Sequence, residues 1–214
     1  MSIVFLGWPR TGSTWLHTNL MMNNPDRFKN LGGVKESHMF YSDPNRALTE
    51  FNHDTIDFST NNWSMDSWIA KELVKKCDHF IMVHRPIKDI IKSYFLLIHN
   101  DINAWEGWQK SVMINKLVYI GDILQRWVEF TSGNISLYEF GDLQKDSIKY
   151  FNLVSSNMKL RSASRLTNHE LSEIKIKQRH DSLKITNFEL QCLVAEQEDK
   201  YEFFKKRTNY QRMP

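Results

Sequence analysis

The sequence predicts a single-domain α/β protein with a mainly parallel sheet that helices cover on both faces. Two observations lead to this fold: buried-strand patterns alternate with helical patterns along the chain, and 214 residues suit one compact domain. Parallel strands joined by helices need a helical layer on each face of the sheet. We therefore treat residues 1–214 as one domain.

The first strand, loop and helix come at the start of the chain. Residues 3–6 are Ile-Val-Phe-Leu, a continuous apolar run that Gly7 closes and that is typical of a strand buried on both faces. Residues 13–22 favour a helix, which the Asn-Asn-Pro run at 23–25 ends. This order predicts a glycine-bearing loop between the carboxyl end of a strand and the N-terminus of a helix.

A second unit of the same kind follows. Residues 79–83 have a buried-strand pattern, and apolar residues then recur at helical spacing. These apolar positions are Ile87, Ile90, Ile91, Tyr94, Phe95 and Ile98. The spacing predicts a helix with one buried face directly after the strand.

The rest of the chain continues the alternation. A longer amphipathic helix is predicted over 113–128, a strand over 135–140, and a closing helix over 186–207 that opens with capping-box spacing. Residues 43–63 and 100–109 lack clear periodicity, so we expect long functional loops there.

Composition and charge narrow the classes of protein. The formal net charge is +3 and the pI about 8.7, which suits an anionic ligand but not the concentrated basic face of a nucleic-acid binder, so we expect no nucleic-acid partner. Cys77 and Cys192 form no CxxC motif, which favours a reducing, cytoplasmic compartment. No stretch approaches the roughly 20 apolar residues of a membrane span, and the run at 3–6 is too short for a signal peptide, so we expect no membrane association.

The first loop has the character of a phosphate-binding loop. Residues 7–14 are Gly-Trp-Pro-Arg-Thr-Gly-Ser-Thr, and they stand where backbone N–H groups and a helix dipole converge on an anion. The segment nearly fits the G-x-x-x-x-G-K-S/T pattern, but Ser13 takes the lysine position and the cation, Arg10, comes three residues earlier. An ordinary strand-to-helix turn is the alternative.

This loop resembles the 5′-phosphosulfate loop of sulfotransferases, which runs Pro, Lys or Arg, two small residues, Ser or Thr twice, then Trp or another apolar residue. The match lies at residues 9–16, Pro-Arg-Thr-Gly-Ser-Thr-Trp-Leu. The resemblance implies a P-loop NTPase-like sulfotransferase fold and binding of 3′-phosphoadenosine 5′-phosphosulfate (PAPS). It implies that the nucleotide is held by Arg10, Thr11, Gly12, Ser13, Thr14 and Trp15, with Arg10 on the phosphosulfate and Trp15 stacked on adenine.

A second segment resembles the 3′-phosphate site of the same family. There an Arg at the end of a strand acts with a Ser eight residues on, and Arg85 and Ser93 have this spacing, with Asp89 between them. On the predicted helix Ser93 falls outside the apolar stripe, so packing does not require it. A guanidinium and a hydroxyl suit a dianionic phosphate. A surface Arg and an incidental Ser are the alternative.

A third segment resembles the catalytic segment of Golgi heparan-type sulfotransferases and their bacterial relatives, Lys-Glu-x-His-Phe-Phe. Residues 33–40 are Gly-Val-Lys-Glu-Ser-His-Met-Phe. The resemblance implies that Glu36 is the catalytic base and that Lys35 lies beside the transferred group, with Arg10. Because cytosolic sulfotransferases use a His base, His38 is either a supporting residue or the base itself. A solvated Lys-Glu pair in a polar loop is the alternative.

Two further features of the family are weaker in this sequence. Residues 138–143 look like its Tyr-Glu-Asp-Leu strand end, although Phe140 and Gly141 interrupt the phrase. The Arg-Lys-Gly type of loop that completes the 3′-phosphate site is not evident. The scattered candidates for that role are Arg161, Arg165, Lys175 and Lys177.

The sequence therefore predicts a metal-independent sulfotransferase that moves the sulfonate of PAPS to a small-molecule or carbohydrate acceptor and releases adenosine 3′,5′-bisphosphate. One alternative is a P-loop small-molecule or nucleotide kinase. That chemistry requires a loop lysine and a strand-terminal Asp that helps to hold Mg²⁺, and the sequence pattern indicates neither. The other alternative is a non-catalytic nucleotide-binding protein of the same fold. The acceptor and the oligomeric state stay open.

Overall fold

A computed structural model describes residues 1–7, 10–59, 62–99, 101–112, 116–163, 166 and 181–213, without the side chains of Trp63 and Lys116. Its centre is a six-stranded sheet in the order β2-β3-β1-β4-β5-β6, and every strand pair is parallel. The strands are β1 Ile3–Phe5, β2 Lys29–Asn30, β3 Thr55–Asp57, β4 His79–His84, β5 Ile135–Glu139 and β6 Asn209–Tyr210.

Helices connect and cover these strands. They are α1 Ser13–Asn23, α2 Met39–Ser42, α3 Pro44–Glu50, α4 Ser67–Val74, α5 Ile87–Ile98, α6 Trp105–Val112, α7 Ile120–Thr131, α8 Phe140–Lys145, α9 Ser147–Asn157 and α10 Phe188–Lys205. Short 3₁₀ turns lie at Leu31–Gly33, Asn62–Ser64, Ile102–Ala104 and Lys116–Val118.

The apolar run of β1 serves two hydrophobic cores, one on each face of the sheet. Val4 points into the core formed with α5, α7 and α10, whereas Ile3 and Phe5 point into the core formed with α1 and α9. Because successive side chains of a strand point to opposite faces, a strand covered on both sides must be apolar throughout. The predicted single α/β domain, with a parallel sheet covered by helices on both faces, is confirmed.

Two regions expected to be long loops contain regular structure instead. Residues 43–63 include α3 and β3, and residues 100–109 include most of α6. The start of α3 does carry a local signal, because the Asp43 side chain accepts a hydrogen bond from the Arg46 N–H and Pro44 takes the first helical position. Strands β2, β3 and β6 have only two or three residues each, which is too short for a periodic pattern.

The helix predicted after β4 has the expected bounds, Ile87–Ile98, but three predicted helices differ in detail from the structure. In α5 the last apolar residue, Ile98, is 52% exposed and does not belong to the buried face. The long amphipathic helix begins at Ile120 rather than near Met113, which lies outside the described residues. The closing helix is capped by Asn187, whose side chain accepts from the Leu190 N–H at 2.9 Å, and not by Thr186.

Among the described helices, none has the length and apolar character needed to cross a membrane.

Helix α10 packs very closely on α7 at Gly121. A β-carbon there would lie 2.5 Å from the Gln197 carbonyl oxygen and 2.6 Å from the Lys200 Cβ. We expect Gly121→Ala to lower the free energy of unfolding by about 1–3 kcal/mol, because the added methyl group forces the helices apart. Urea denaturation measures the change. Gly107→Ala is the matched control, since Gly107 lies on α6 with nothing within 4 Å, and we expect it to stabilise by about 0.5–1 kcal/mol. Equal effects of the two substitutions would contradict this packing.

Candidate functional site

The predicted site residues lie at one edge of the sheet. Because all strands are parallel, the segments that follow β1, β2, β3 and β4 emerge at the same edge, which is where open α/β sheets bind ligands. The segment after β1 carries Arg10, the segment after β2 carries Lys35, Glu36 and His38, and the segment after β4 carries Arg85.

The loop after β1 turns sharply into α1 at Gly12. This residue has φ 84° and ψ 13°, in the left-handed region, and it forms the N-cap of α1 without a side-chain cap. A β-carbon at Gly12 would also lie 3.0 Å from the Leu143 Cδ2. The positive φ therefore favours glycine here, and the turn presents the N-terminus of an 11-residue helix, which has no side-chain cap, to this edge of the sheet.

Arg10 links the two segments that resemble nucleotide-binding sites. Its carbonyl oxygen accepts a hydrogen bond from the Arg85 Nη1 at 2.9 Å. Its own Nε donates to the Ser93 Oγ at 3.2 Å. Arg10 has φ 71°, an uncommon conformation for a residue with a side chain, and the two hydrogen bonds hold it there. The residues expected to meet the two ends of one nucleotide are thus in direct contact.

The two guanidinium groups give this contact a net positive potential. Burial lowers the pKa of Arg85 and the nearby Arg10 charge lowers it further, while Asp89 opposes both effects. The Arg85 guanidinium also lies 4.8 Å from the centre of the Phe140 ring, a cation–π contact. Two cations held close together, one of them partly buried, favour the binding of an anion between or beside them.

The other residues of the first loop differ in exposure. Thr11 and Ser13 are buried, whereas Thr14 is exposed. Trp15 is buried among apolar side chains, with its ring centre 6.2 Å from those of Tyr150 and Phe151. The indole fills the core on the α1 side of the sheet, so the expectation that Trp15 stacks on adenine is corrected. Pro9 lies outside the described residues.

The segment after β2 forms a second polar group. Lys35 and Glu36 form an ion pair, and the His38 Nε2 lies 3.8 Å from the second carboxylate oxygen of Glu36. His38 has φ 51° and begins the short helix α2. Its backbone N–H donates to the Ser59 Oγ at 3.0 Å, so the predicted base segment is tied to the end of β3.

Behind Ser59 lies a fully buried carboxylate that the sequence analysis missed. The Asp57 Oδ1 accepts from the Ser59 hydroxyl at 2.6 Å and from the Ser59 N–H at 3.1 Å. Burial raises the pKa of Asp57, although these hydrogen bonds act against the rise. Asp57 ends a strand too short to show a pattern, which is why sequence reasoning placed it in a loop.

His17 is a second residue that the sequence analysis missed. It lies on α1, one turn after Ser13, and its Nε2 donates to the Asn30 Oδ1 at 2.7 Å. Burial lowers the pKa of His17, and the Lys35 charge lowers it further. This neutral side chain connects α1 to the end of β2, directly before the segment that carries Lys35 and Glu36.

The comparisons with known proteins bear on the fold of the chain. No protein-family model and no curated protein sequence matches the chain. The solved structure of a sulfotransferase from Alicyclobacillus acidocaldarius superposes with a TM-score of 0.62 at 11% sequence identity, over 96% of this chain and 95% of that chain. The chain has a sulfotransferase fold. At this identity the likeness describes the fold and leaves the roles of individual residues to the chemistry of the site.

Within this sulfotransferase fold the C-terminal candidates for the 3′-phosphate site stay unassigned. Arg161 is exposed, and Arg165, Lys175 and Lys177 lie outside the described residues.

The link from His38 to Asp57 leads to a test of the second polar group. We expect Ser59→Ala to lower the free energy of unfolding by about 1–3 kcal/mol, because it removes the hydroxyl that donates to the buried Asp57 carboxylate and accepts from the His38 amide. Chemical denaturation measures the loss. Ser42→Ala is the control, since the Ser42 hydroxyl also contacts His38, at its carbonyl oxygen, but in an exposed position. We expect that control to change stability by less than about 0.5 kcal/mol. A Ser59→Ala protein as stable as the control would refute the supporting role of Asp57.

Proposed function

We propose that this protein is a sulfotransferase that binds PAPS and transfers its sulfonate group to an acceptor hydroxyl or amine. The observation that carries the proposal is the double contact of Arg10. Its carbonyl accepts from Arg85 and its guanidinium donates to Ser93, so two segments that each resemble a PAPS-binding segment meet at one place. The sulfotransferase fold of the chain supports the same function.

The residues present fit the charges of this nucleotide. PAPS carries anionic groups at both the 5′ and the 3′ positions, and the site offers two guanidinium groups and the uncapped N-terminus of α1. We assign Arg10 and the amides of residues 12–14 to the 5′-phosphosulfate. Arg85 and Ser93 are assigned to the 3′-phosphate. With the nucleotide bound, Arg10 and Ser93 exchange their mutual hydrogen bond for bonds to the ligand.

In the proposed reaction the acceptor atom forms a bond to sulfur while the bond from sulfur to the bridging phosphate oxygen breaks. The acceptor proton passes to Glu36, and adenosine 3′,5′-bisphosphate leaves with the electron pair of the broken bond. Lys35 and Arg10 supply positive charge to the oxygens on which negative charge develops. Protonation of Glu36 also ends its attraction for Lys35, which frees the ammonium group to follow the developing charge.

The geometry favours Glu36 over His38 as the base. Glu36 has two carboxylate oxygens that face Lys35 and His38, and its side chain is partly exposed. The His38 side chain is about as exposed as that of Glu36, but its Nδ1 atom is buried and makes no hydrogen bond with the described residues, so none of them orients the imidazole through that atom. We therefore assign His38 the role of holding Glu36 in place, with its own backbone held by Ser59.

The kinase alternative gains one feature from the structure. Asp57 does end a strand next to β1, which is the kind of strand-terminal Asp that was not evident in the sequence. Its Oδ1 is committed to Ser59, however, and Ser13 still occupies the position where a kinase has its loop lysine.

The non-catalytic alternative would keep the nucleotide site without a base, whereas this chain has Glu36 and Lys35 as an ion pair at the same sheet edge.

We expect the protein to bind adenosine 3′,5′-bisphosphate more tightly than AMP in the presence of a chelator. The reason is that Arg85 and Ser93 add charge-assisted contacts to the extra phosphate, each worth about 1.5–3 kcal/mol. Arg85→Ala should remove most of this preference in calorimetry. Arg46→Ala, a change of an exposed arginine paired with Glu50 on α3, should leave it intact. Equal affinity for the two nucleotides, or a requirement for Mg²⁺ and ATP, would overturn the proposed nucleotide specificity.

We expect Glu36→Gln to lower turnover with labelled PAPS by roughly 100-fold or more, while binding of adenosine 3′,5′-bisphosphate survives. The amide has nearly the shape of the carboxylate but does not accept the acceptor proton. His38→Ala should cost less turnover than Glu36→Gln, and Glu50→Gln on the exposed face of α3 should cost none. A Glu36→Gln enzyme with near-normal turnover beside an inactive His38→Ala enzyme would transfer the role of base to His38. A screen of hydroxyl and amine acceptors must precede this measurement.

A further inference from the structure

A buried charge cluster lies directly behind Arg85. The preceding residue, His84, is buried at the end of β4 and contacts a carboxylate with each ring nitrogen. The His84 Nδ1 is 2.9 Å from the Glu139 Oε2, and its Nε2 is 3.3 Å from the Glu198 Oε2. The sequence analysis assigned no role to His84 or Glu198.

The two carboxylates that contact the His84 ring determine how many protons the ring carries. An ionised carboxylate only accepts hydrogen bonds, so both ring nitrogens must carry a proton for both contacts to form. His84 is then an imidazolium ion. Burial alone would lower the pKa of His84, but the hydrogen bonds to Glu139 and Glu198 outweigh burial and raise it. Burial likewise acts to raise the pKa of Glu139, and the His84 contact reverses this and lowers it to about 2.

Glu198 joins both flanks of the turn that presents Arg85. One of its oxygens contacts His84, on the N-terminal side of Arg85. The other oxygen, Oε1, accepts from the Ile87 N–H at 2.6 Å, on the C-terminal side of Arg85 and Pro86. Helix α5 has Pro86 as its N-cap and no side-chain cap of its own, so Glu198 of α10 supplies an acceptor for its first amide.

The elements around His84 complete the cluster. Tyr201 of α10 stacks on the imidazole, with ring centres 3.8 Å apart. Lys205 of α10 and the Tyr210 hydroxyl of β6 both contact the Glu139 Oε1, at 3.3 Å and 3.0 Å. Glu139 is therefore held from three sides. Glu198 has the longer of the two carboxylate contacts to His84, and its contacts among those described are to His84 and Ile87.

We propose that His84 and Glu198 are positioning residues that hold Arg85 in place for a 3′-phosphate group, and that protonation of His84 controls the strength of this site. The inference rests on the proposed function. Neither residue touches the nucleotide. Both act through the backbone on either side of Arg85, the residue whose guanidinium meets Arg10.

The proposal predicts in which direction the affinity for the 3′-phosphate changes with pH. Below its pKa, His84 carries both protons and the turn is held on both sides. As the pH rises through this raised pKa, one imidazole N–H donor is lost. Glu198 then loses its contact with His84 and keeps the one with the Ile87 N–H, because Glu139 has the shorter contact to His84. Affinity for the 3′-phosphate should then fall, whereas affinity for a nucleotide without that group should not.

The test is calorimetric titration of adenosine 3′,5′-bisphosphate and of AMP between about pH 6 and about pH 9. The proteins are the wild type, Glu198→Gln, His84→Gln and the control Glu196→Gln. Glu196 is an exposed residue of α10 that pairs with Lys200, outside the cluster. We expect Glu198→Gln to weaken binding of the bisphosphate about tenfold at the acidic end and binding of AMP less than about twofold.

The preference of the wild type for the bisphosphate should fall at alkaline pH, and that fall should be absent in His84→Gln. The phosphate groups titrate alike in both proteins, so the comparison removes their contribution.

A wild type that prefers the bisphosphate equally across this range, or a Glu198→Gln protein with an unchanged preference, would overturn this inference but not the proposed function. Equal losses for both nucleotides in the variants would also overturn it, because they indicate a general effect on folding. A wild type without any preference for the bisphosphate would instead refute the proposed function.

Discussion

The parallel pairing of β1 with β3 and β4 is the constraint on which the site depends. Phe5 at the end of β1 lies opposite Ile81, and β4 then continues through Met82, Val83 and His84. Because β4 extends beyond β1, Arg85 directly after β4 comes within hydrogen-bonding distance of Arg10, which follows β1 in the chain. On the other side, β3 ends on Asp57, and this places Ser59 under the segment that carries His38.

The two clusters at this sheet edge balance their charges in different ways. The imidazolium of His84 and the ammonium of Lys205 together balance the carboxylates of Glu139 and Glu198, and such a compensated group gives rigidity at little net cost in charge. Arg10 and Arg85 have the same sign, with Asp89 as the acidic residue whose charge offsets that of Arg85. A preorganised anion site requires cations whose charge is not fully neutralised and a rigid structure that holds them in place. Arg10 and Arg85 are such cations, and the His84 cluster is the rigid structure behind them.

Two of the four described non-glycine residues with positive φ lie in the proposed site. Arg10 and His38 both have positive φ, which costs a residue with a side chain roughly 1–2 kcal/mol. In each case a hydrogen bond with the end of another strand stabilises the conformation: Arg85 donates to the Arg10 carbonyl, and the His38 amide donates to the Ser59 hydroxyl. The sheet therefore stabilises conformations that the local sequence would not adopt, and these conformations orient the Arg10 and His38 side chains.

The sequence by itself determined the alternation of strands and helices, the glycine turn into α1, and the spacing that puts Arg85 just before α5 and Ser93 on it. Each of these depends on residues close together in the chain, through hydrophobic periodicity or a fixed spacing along one helix. Only the tertiary structure decided that Trp15 packs in the core rather than on a ligand, because its neighbours Tyr150 and Phe151 come from a distant helix. It alone also revealed Asp57 and Glu198. The first ends a strand of three residues, and the second reaches His84 from a helix 114 positions later in the chain, so no local pattern in the sequence connects either residue to the site.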